Sequence, residues 1–262
     1  HLDFAPDIAG GALFPYLEAM ANQSFGMVLG KGGADTIVTA LSAAIEENGG
    51  QILCGHSVDR ILHQDGRTTG VVVDGVSIHA KRAVIANVAP RAIMQLTGGS
   101  GQSRYDRSMT GFRHAPGTLM IHLAMSGLPD WSASEELQNF AYVHIAPSLD
   151  QMARCYQQAS AGLLPQDPVI VVGQPTAVDS SRAPKGQHIL WIQVRMVPGQ
   201  IKADAADQIL ATDWANAANP FVDRVHNLIE AHAPGTRAKI LGQRIVTPVE
   251  LENDNPNLVG GD

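Results

Sequence analysis

The chain has 262 residues, of which 45% are hydrophobic and 16% charged, with a formal net charge of -7 and a pI near 5.8. So little charge points to a large buried fraction rather than disorder, enough for one large domain or for one domain and part of a second. The acidic balance, without any cluster of Lys and Arg, argues against a nucleic-acid partner.

In chain order, Phe14 to Ala21 reads as a short helix with Leu17 and Met20 on one face, followed by the glycine-rich stretch GMVLGKGGAD. Gly30, Gly32 and Gly33 predict a loop where backbone comes close to another group or takes positive φ. From Asp35 a helix carries Ile37, Val38, Leu41, Ala44 and Ile45 at helical spacing and stops at Gly49-Gly50. Short strands follow: QILCG, VDRILHQ, TTGVVV and VSIHA, with turns at Asp65-Gly66 and Asp74-Gly75. RAVIAN, apolar at Val84, Ile85 and Ala86, is predicted to be a strand buried on both faces. A helix through Ile93 and Leu96 starts at Ala89-Pro90.

Beyond Thr97 a flexible GGSGQS loop leads to strands GTLMIHLAM and FAYVHI, and then to a helix with Leu149, Met152 and Tyr156 on one face. PVIVVG and HILWIQVRMV are strands. The second is apolar on both alternating sets, so it is expected to be central or covered by a helix. DAADQILATDWANAAN and FVDRVHNLIEAHAP read as two helices separated at Asn219-Pro220, because proline breaks the hydrogen-bond ladder. AKILGQRIVTP is a last strand.

Several chemical readings fail on spacing. GMVLGKGG is one residue too short for a phosphate-binding P-loop, and Gly32 stands where that loop needs a hydroxyl. The dinucleotide fingerprint fails because Asp35 occupies the place of its third glycine. Ten histidines make no HExxH and no pairing with cysteine, so no metal site is expected. No GxSxG nucleophile elbow exists. Trp131, Trp191 and Trp214 read as core or interface residues. Cys54 and Cys155 form no CxxC pair, which gives the expectation of a reducing, cytoplasmic compartment. No apolar run approaches the roughly 18 residues of a membrane span, and no secretory leader pattern is visible. The opening HLDFAPDIAGG and the closing PNLVGGD lack the composition of tails, so the chain is expected to be an internal piece of a longer one.

The block from GKGGADT to NVAP resembles the middle of phytoene-desaturase-like, FAD-dependent oxidoreductases. The resemblance rests on Gly32-Gly33, Leu41, Gly49-Gly50, Val58, Ile61, Gly66, Gly70-Val71, Asn87 and Pro90 in order. A second block resembles the same family at Ala233-Pro234-Gly235, Thr247-Pro248 and Leu251-Glu252; between about Gly98 and His232 the likeness is weak. The subgroup it looks most like is that of the pyridine nucleotide-disulfide oxidoreductase domain-containing protein 2. Lys31 departs from the family's usual P.GG turn.

The resemblance implies an α/β fold: a partial FAD-binding domain, an incomplete three-layer sheet plus an antiparallel meander, over residues 1–97. It further implies a mixed-sheet α+β substrate domain over 98–245 and a return segment over 246–262. It implies that Gly32 and Gly33 turn near the flavin, that the Val58 backbone faces the adenine end, and that Asn87 and Pro90 end a strand beside the cofactor. Gly260, Gly261 and Asp262 would begin the approach that closes over the flavin ring. The family's N-terminal glycine fingerprint is absent from the chain, so FAD is expected only in the complete protein and the piece alone is expected to be inactive. The reaction implied is hydride transfer from a hydrophobic substrate to flavin N5, with the chemistry carried by the flavin and no catalytic side chain assigned. Self-association and a peripheral membrane contact are further expectations. Met120, His122, Ala124, Tyr142 and His144 share one alternating face, which either walls an apolar pocket or fills a core beneath helices. The competing functional reading is a binding or scaffold domain that keeps the fold without the cofactor; a hydrolase or transferase with an unrecognised site is a third.

Overall fold

The computed structural model describes Ala5 and residues 8–262; the other residues of the expected N-terminal segment, 1–4, 6 and 7, lie outside the described residues. In chain order the elements are helices α1 (Leu13–Phe25) and α2 (Asp35–Glu47) and strands β1 (Val58–Gln64), β2 (Arg67–Val73) and β3 (Val76–His79). Helices α3 (Pro90–Thr97) and α4 (Ser103–Thr110), strands β4 (Gly117–Met125) and β5 (Tyr142–Ile145), and helix α5 (Leu149–Ser160) follow. The remainder is β6 (Leu163–Leu164), β7 (Ile170–Gly173), β8 (His188–Val197), β9 (Ala203–Asp204), α6 (Trp214–His232), β10 (Ile240–Val246) and α7 (Pro248–Asp254). The described residues divide into two compact units: one of Ala5 and residues 8–37, 115–255 and 259–262, the other of residues 38–114 and 256–258.

The larger unit is built on a five-stranded sheet in the order β10-β4-β8-β7-β5. Leu119, Ile121, Leu123, Leu190, Ile192, Val194, Ile170 and Val172 project from one face and meet Trp214, Ala217, Phe221, Val222, Val225 and Ile229 of α6. Burying one such aliphatic or aromatic side chain is worth about 1.5–3 kcal/mol, so this contact is the main source of the unit's stability. As expected, β8 is central. The expected mixed sheet is corrected: every pairing within it is antiparallel, and among the described residues the one parallel pair in the unit is the two-residue β6·β9. The reason lies in the return after α5. Ile145, at the end of β5, pairs with Ile170, at the start of β7. The helix and the stretch 161–169 therefore bring the chain back to the end it left, where a parallel neighbour would need a one-way crossover.

The two helices expected on either side of Pro220 are one, α6, with Pro220 inside it, and residues 205–212 are irregular. The Asp213 side chain caps α6 by accepting from the Asn216 N–H at 2.9 Å. The buried stripe runs unbroken through Ala217, Ala218, Phe221 and Val222, so packing on the sheet outweighs the lost backbone bond at Pro220. Upstream, the Asp204 carboxylate ties the irregular segment down through the Gln208 and Ile209 N–H groups and a two-pronged contact with Arg224.

The smaller unit holds the meander β1-β2-β3, closed at Asp65-Gly66 and Asp74-Gly75. All four turn residues have positive φ, as two-residue hairpin turns of this hand require. Two expectations fail here. QILCG and RAVIAN have no strand partner among the described residues, and Leu53 and Ile85, 67% and 94% exposed, are not buried. A strand covered on both faces exists only with hydrogen-bonded neighbours on both sides, and the meander uses its pairing groups on itself. The three-layer sheet expected around them is not formed among the described residues. Leu17 and Met20, on one face of α1, and Leu149, at the start of α5, are also exposed. The helix α4 was not expected at all.

Candidate functional site

Side chains alternate along a strand, so the face of the large sheet away from α6 carries the other set. Register aligns Arg244, His122, Trp191, Gly173 and Tyr142 in one row across β10, β4, β8, β7 and β5. A Cβ on Gly173 would lie 2.9 Å from Trp191 Cε3 and 3.3 Å from Tyr142 Cε1. Glycine there lets the two rings meet edge to face, 6.1 Å between centroids. Above this row lies a cavity of about 550 Å³, walled by His122, Tyr142, Gly173, Ile189 and Trp191 from the sheet. Val28, Leu29, Gly30, Gly32, Ala34 and Ile37 close it from the glycine-rich loop and the start of α2, with Pro175 and Arg182 from the segment after β7.

A charged clamp holds the loop there. Asp179 Oδ2 accepts the Gly32 N–H at 2.8 Å and the Arg182 Nε–H at 3.2 Å, while an Arg182 terminal N–H donates to the Gly30 carbonyl. The Ser181 hydroxyl and the Gly32 N–H, foremost among these donors, hold the Asp179 carboxyl well below the ordinary carboxylate range. Arg182 is therefore committed to the clamp. His122 is held below its ordinary value of 6.5 by burial and then by Arg244.

Of the two readings of the alternating face, the structure favours a wall. The face is not the one that packs on α6, and His122 and Tyr142 line the cavity. Met120 is buried, while Ala124 and His144 are exposed and stand outside the lining. The residues expected to face a cofactor divide between the units. In the larger unit Gly32 lines the cavity and Gly33 follows it. Gly260 and Gly261 lie where backbone meets backbone: a Cβ on Gly117 would stand 2.2 Å from the Gly260 carbonyl oxygen. Asp262 Oδ2 accepts the Ala115 N–H at 3.0 Å. In the smaller unit Val58 opens β1, Asn87 is exposed, and Pro90 is the first residue of α3, next to Ala89, whose N–H reaches Asn257 Oδ1 at 2.8 Å.

A family model described as flavin containing amine oxidoreductase matches residues 3–227. The chain belongs to this family.

Individual relatives agree with the resemblance seen in the sequence. It is 24% identical to the rat pyridine nucleotide-disulfide oxidoreductase domain-containing protein 2 over 238 residues, 85% of this chain and 39% of that protein. It is 22% identical to phytoene dehydrogenase of Streptomyces griseus, covering 93% of this chain and 43% of the relative. It is 23% identical to the neurosporene-forming phytoene desaturase of Rhodobacter capsulatus, covering 94% and 47%. The chain thus spans roughly two fifths to a half of the curated relatives it matches. Among solved structures, an oxidoreductase from Methanosarcina mazei shares the fold with a TM-score of 0.60 at 19% identity, over 89% of this chain and 46% of that one. Among the described residues no helix is long and apolar enough to cross a membrane.

Sequence reading missed the clamp and misplaced Trp191. Asp179 and Arg182 sit in a segment of small polar residues with no motif, and their partners Gly32 and Gly30 are 147 and 152 residues away. A signal for Trp191 was present: it alternates with Gln193 and Arg195, the polar set of β8, not with the aliphatic one.

Proposed function

We propose that this chain is the substrate-facing part of an FAD-dependent oxidoreductase in which an apolar molecule gives hydride to the flavin, and that it is inactive without the rest of the protein. The observation that carries the reading is the cavity on the open sheet face. It has aromatic and aliphatic walls and is closed by the glycine loop that the family likeness puts beside the flavin. The residues assigned to the cofactor fit part of it. Gly32 has φ +88° and open space where a Cβ would stand, so its backbone is accessible to a ligand. None of the eight carries a positive charge, so none of them can neutralise the phosphates of a dinucleotide. When bound, flavin supplies the hydride acceptor. The chain's own residues position the substrate against Trp191 and Ile189 and keep water out, and the Asp179–Arg182 clamp holds the loop in place. A cytoplasmic location, self-association and a peripheral membrane contact belong to the same proposal; the two free thiols, Cys54 and Cys155, fit a reducing compartment.

The test is anaerobic flavin bleaching in the protein expressed from the complete reading frame. Long-chain isoprenoids and other apolar alcohols are expected to bleach the flavin, and Trp191→Leu to slow bleaching with the flavin retained. Bleaching by small hydrophilic amines alone would refute the substrate class.

A further inference from the structure

We infer that the cavity takes an apolar molecule carrying one uncharged oxygen head group, a hydroxyl or a carbonyl, and that His122 binds this head. The inference rests on the proposed oxidoreductase reading and narrows its substrate class. Few polar groups of the cavity are free to bond a ligand. The cavity wall is largely aliphatic and aromatic, and its one cation, Arg182, is already spent on the Gly30 carbonyl and Asp179. The His122 ring lines the cavity from mid-β4 and makes no hydrogen bond within the described residues. A polar ring facing an apolar cavity is stabilised when a ligand completes its bonding.

Charge decides which ligand does so. Burial and the nearby Arg244 both favour the neutral imidazole, which offers one N–H and one lone pair. Arg244 is itself engaged with Glu250 at 2.8 Å. A hydroxyl or carbonyl matches that supply. A carboxylate or phosphate would leave water for an apolar wall with no free cation, which is costly.

The experiment follows tryptophan fluorescence of the chain during titration with 1-decanol and, at mildly alkaline pH, with decanoate. Trp131 and Trp214 are buried, their indole N–H groups bonded to Gln174 Oε1 and the Pro198 carbonyl, so Trp191 reports on the cavity. Decanol is expected to bind at least tenfold more tightly than decanoate. His122→Phe keeps the ring and deletes its nitrogens, and is expected to weaken decanol binding about three- to tenfold, the loss of one neutral hydrogen bond. In the unmodified chain the His122 ring resonances are expected to shift on saturation with decanol, a readout that does not require the variant to fold. Unchanged decanol affinity in His122→Phe, decanoate binding as tight as decanol, or loss of affinity in Tyr142→Phe instead would overturn the assignment to His122 while leaving the apolar cavity standing. No response of Trp191 to either compound would overturn both the inference and the proposed use of the cavity, independently of whether the complete protein carries flavin.

Discussion

The Asp204 carboxylate is almost wholly buried, its side chain 1% exposed, and it is met by both terminal nitrogens of Arg224 at 2.6 and 2.8 Å. Burial by itself would raise its pKa, but the bonds from Arg224 and from the Gln208 and Ile209 N–H groups outweigh that and leave it lowered. Breaking such a pair from one side strands a buried charge. Arg224→Met is predicted to cost about 3–5 kcal/mol in urea unfolding. His122 supplies a pH dependence of the opposite kind to a salt-bridged histidine. Its folded-state pKa lies below 6.5, so the unfolded chain binds the proton more readily. Its contribution to stability is complete above 6.5 and is lost as pH falls from there through the depressed folded value. Urea unfolding across this range should show a loss of stability on acidification that is smaller in His122→Phe.

At the scale of elements, α6 is the informative case. Pro220 removes one backbone bond from the helix interior while its exposed side chain adds nothing to the core. Pro220→Ala should restore the N–H to the ladder and stabilise the chain by roughly 1–3 kcal/mol, read as a rise in the urea midpoint. The same element shows why sequence reading erred. A proline rule is local, whereas the stripe from Trp214 to Ile229 that keeps the helix whole is a property of what it packs on. The long apolar strands β4 and β8 and the hairpins marked by Asp-Gly pairs were legible because their signals are local and match their burial. RAVIAN was misread because an apolar run reports only that a segment suits burial, and whether it is buried depends on partners elsewhere. The cavity was half legible: alternation put His122 and Tyr142 on one face, but nothing in the sequence brought Asp179 to Gly32.

At the scale of the whole molecule, the smaller unit leaves Val38, Leu41, Leu53, Val76 and Ile85 exposed, each beyond 60%, and Ile78 exposed at 48%. Apolar surface of that extent seeks cover. The chain is predicted to self-associate, with a light-scattering mass above that of a monomer and rising with concentration. Leu41→Lys with Ile85→Lys should shift it back toward the monomer. The larger unit carries its own core, with α6 on one sheet face and the cavity on the other, so it should keep its structure in the same variant.

The most direct test of the account is the flavin content of two preparations, the protein from the complete reading frame and this 262-residue chain, by fluorescence of the supernatant after acid precipitation. The account predicts close to one FAD per molecule in the first and none retained by the second. A complete protein that folds yet carries no flavin would contradict it.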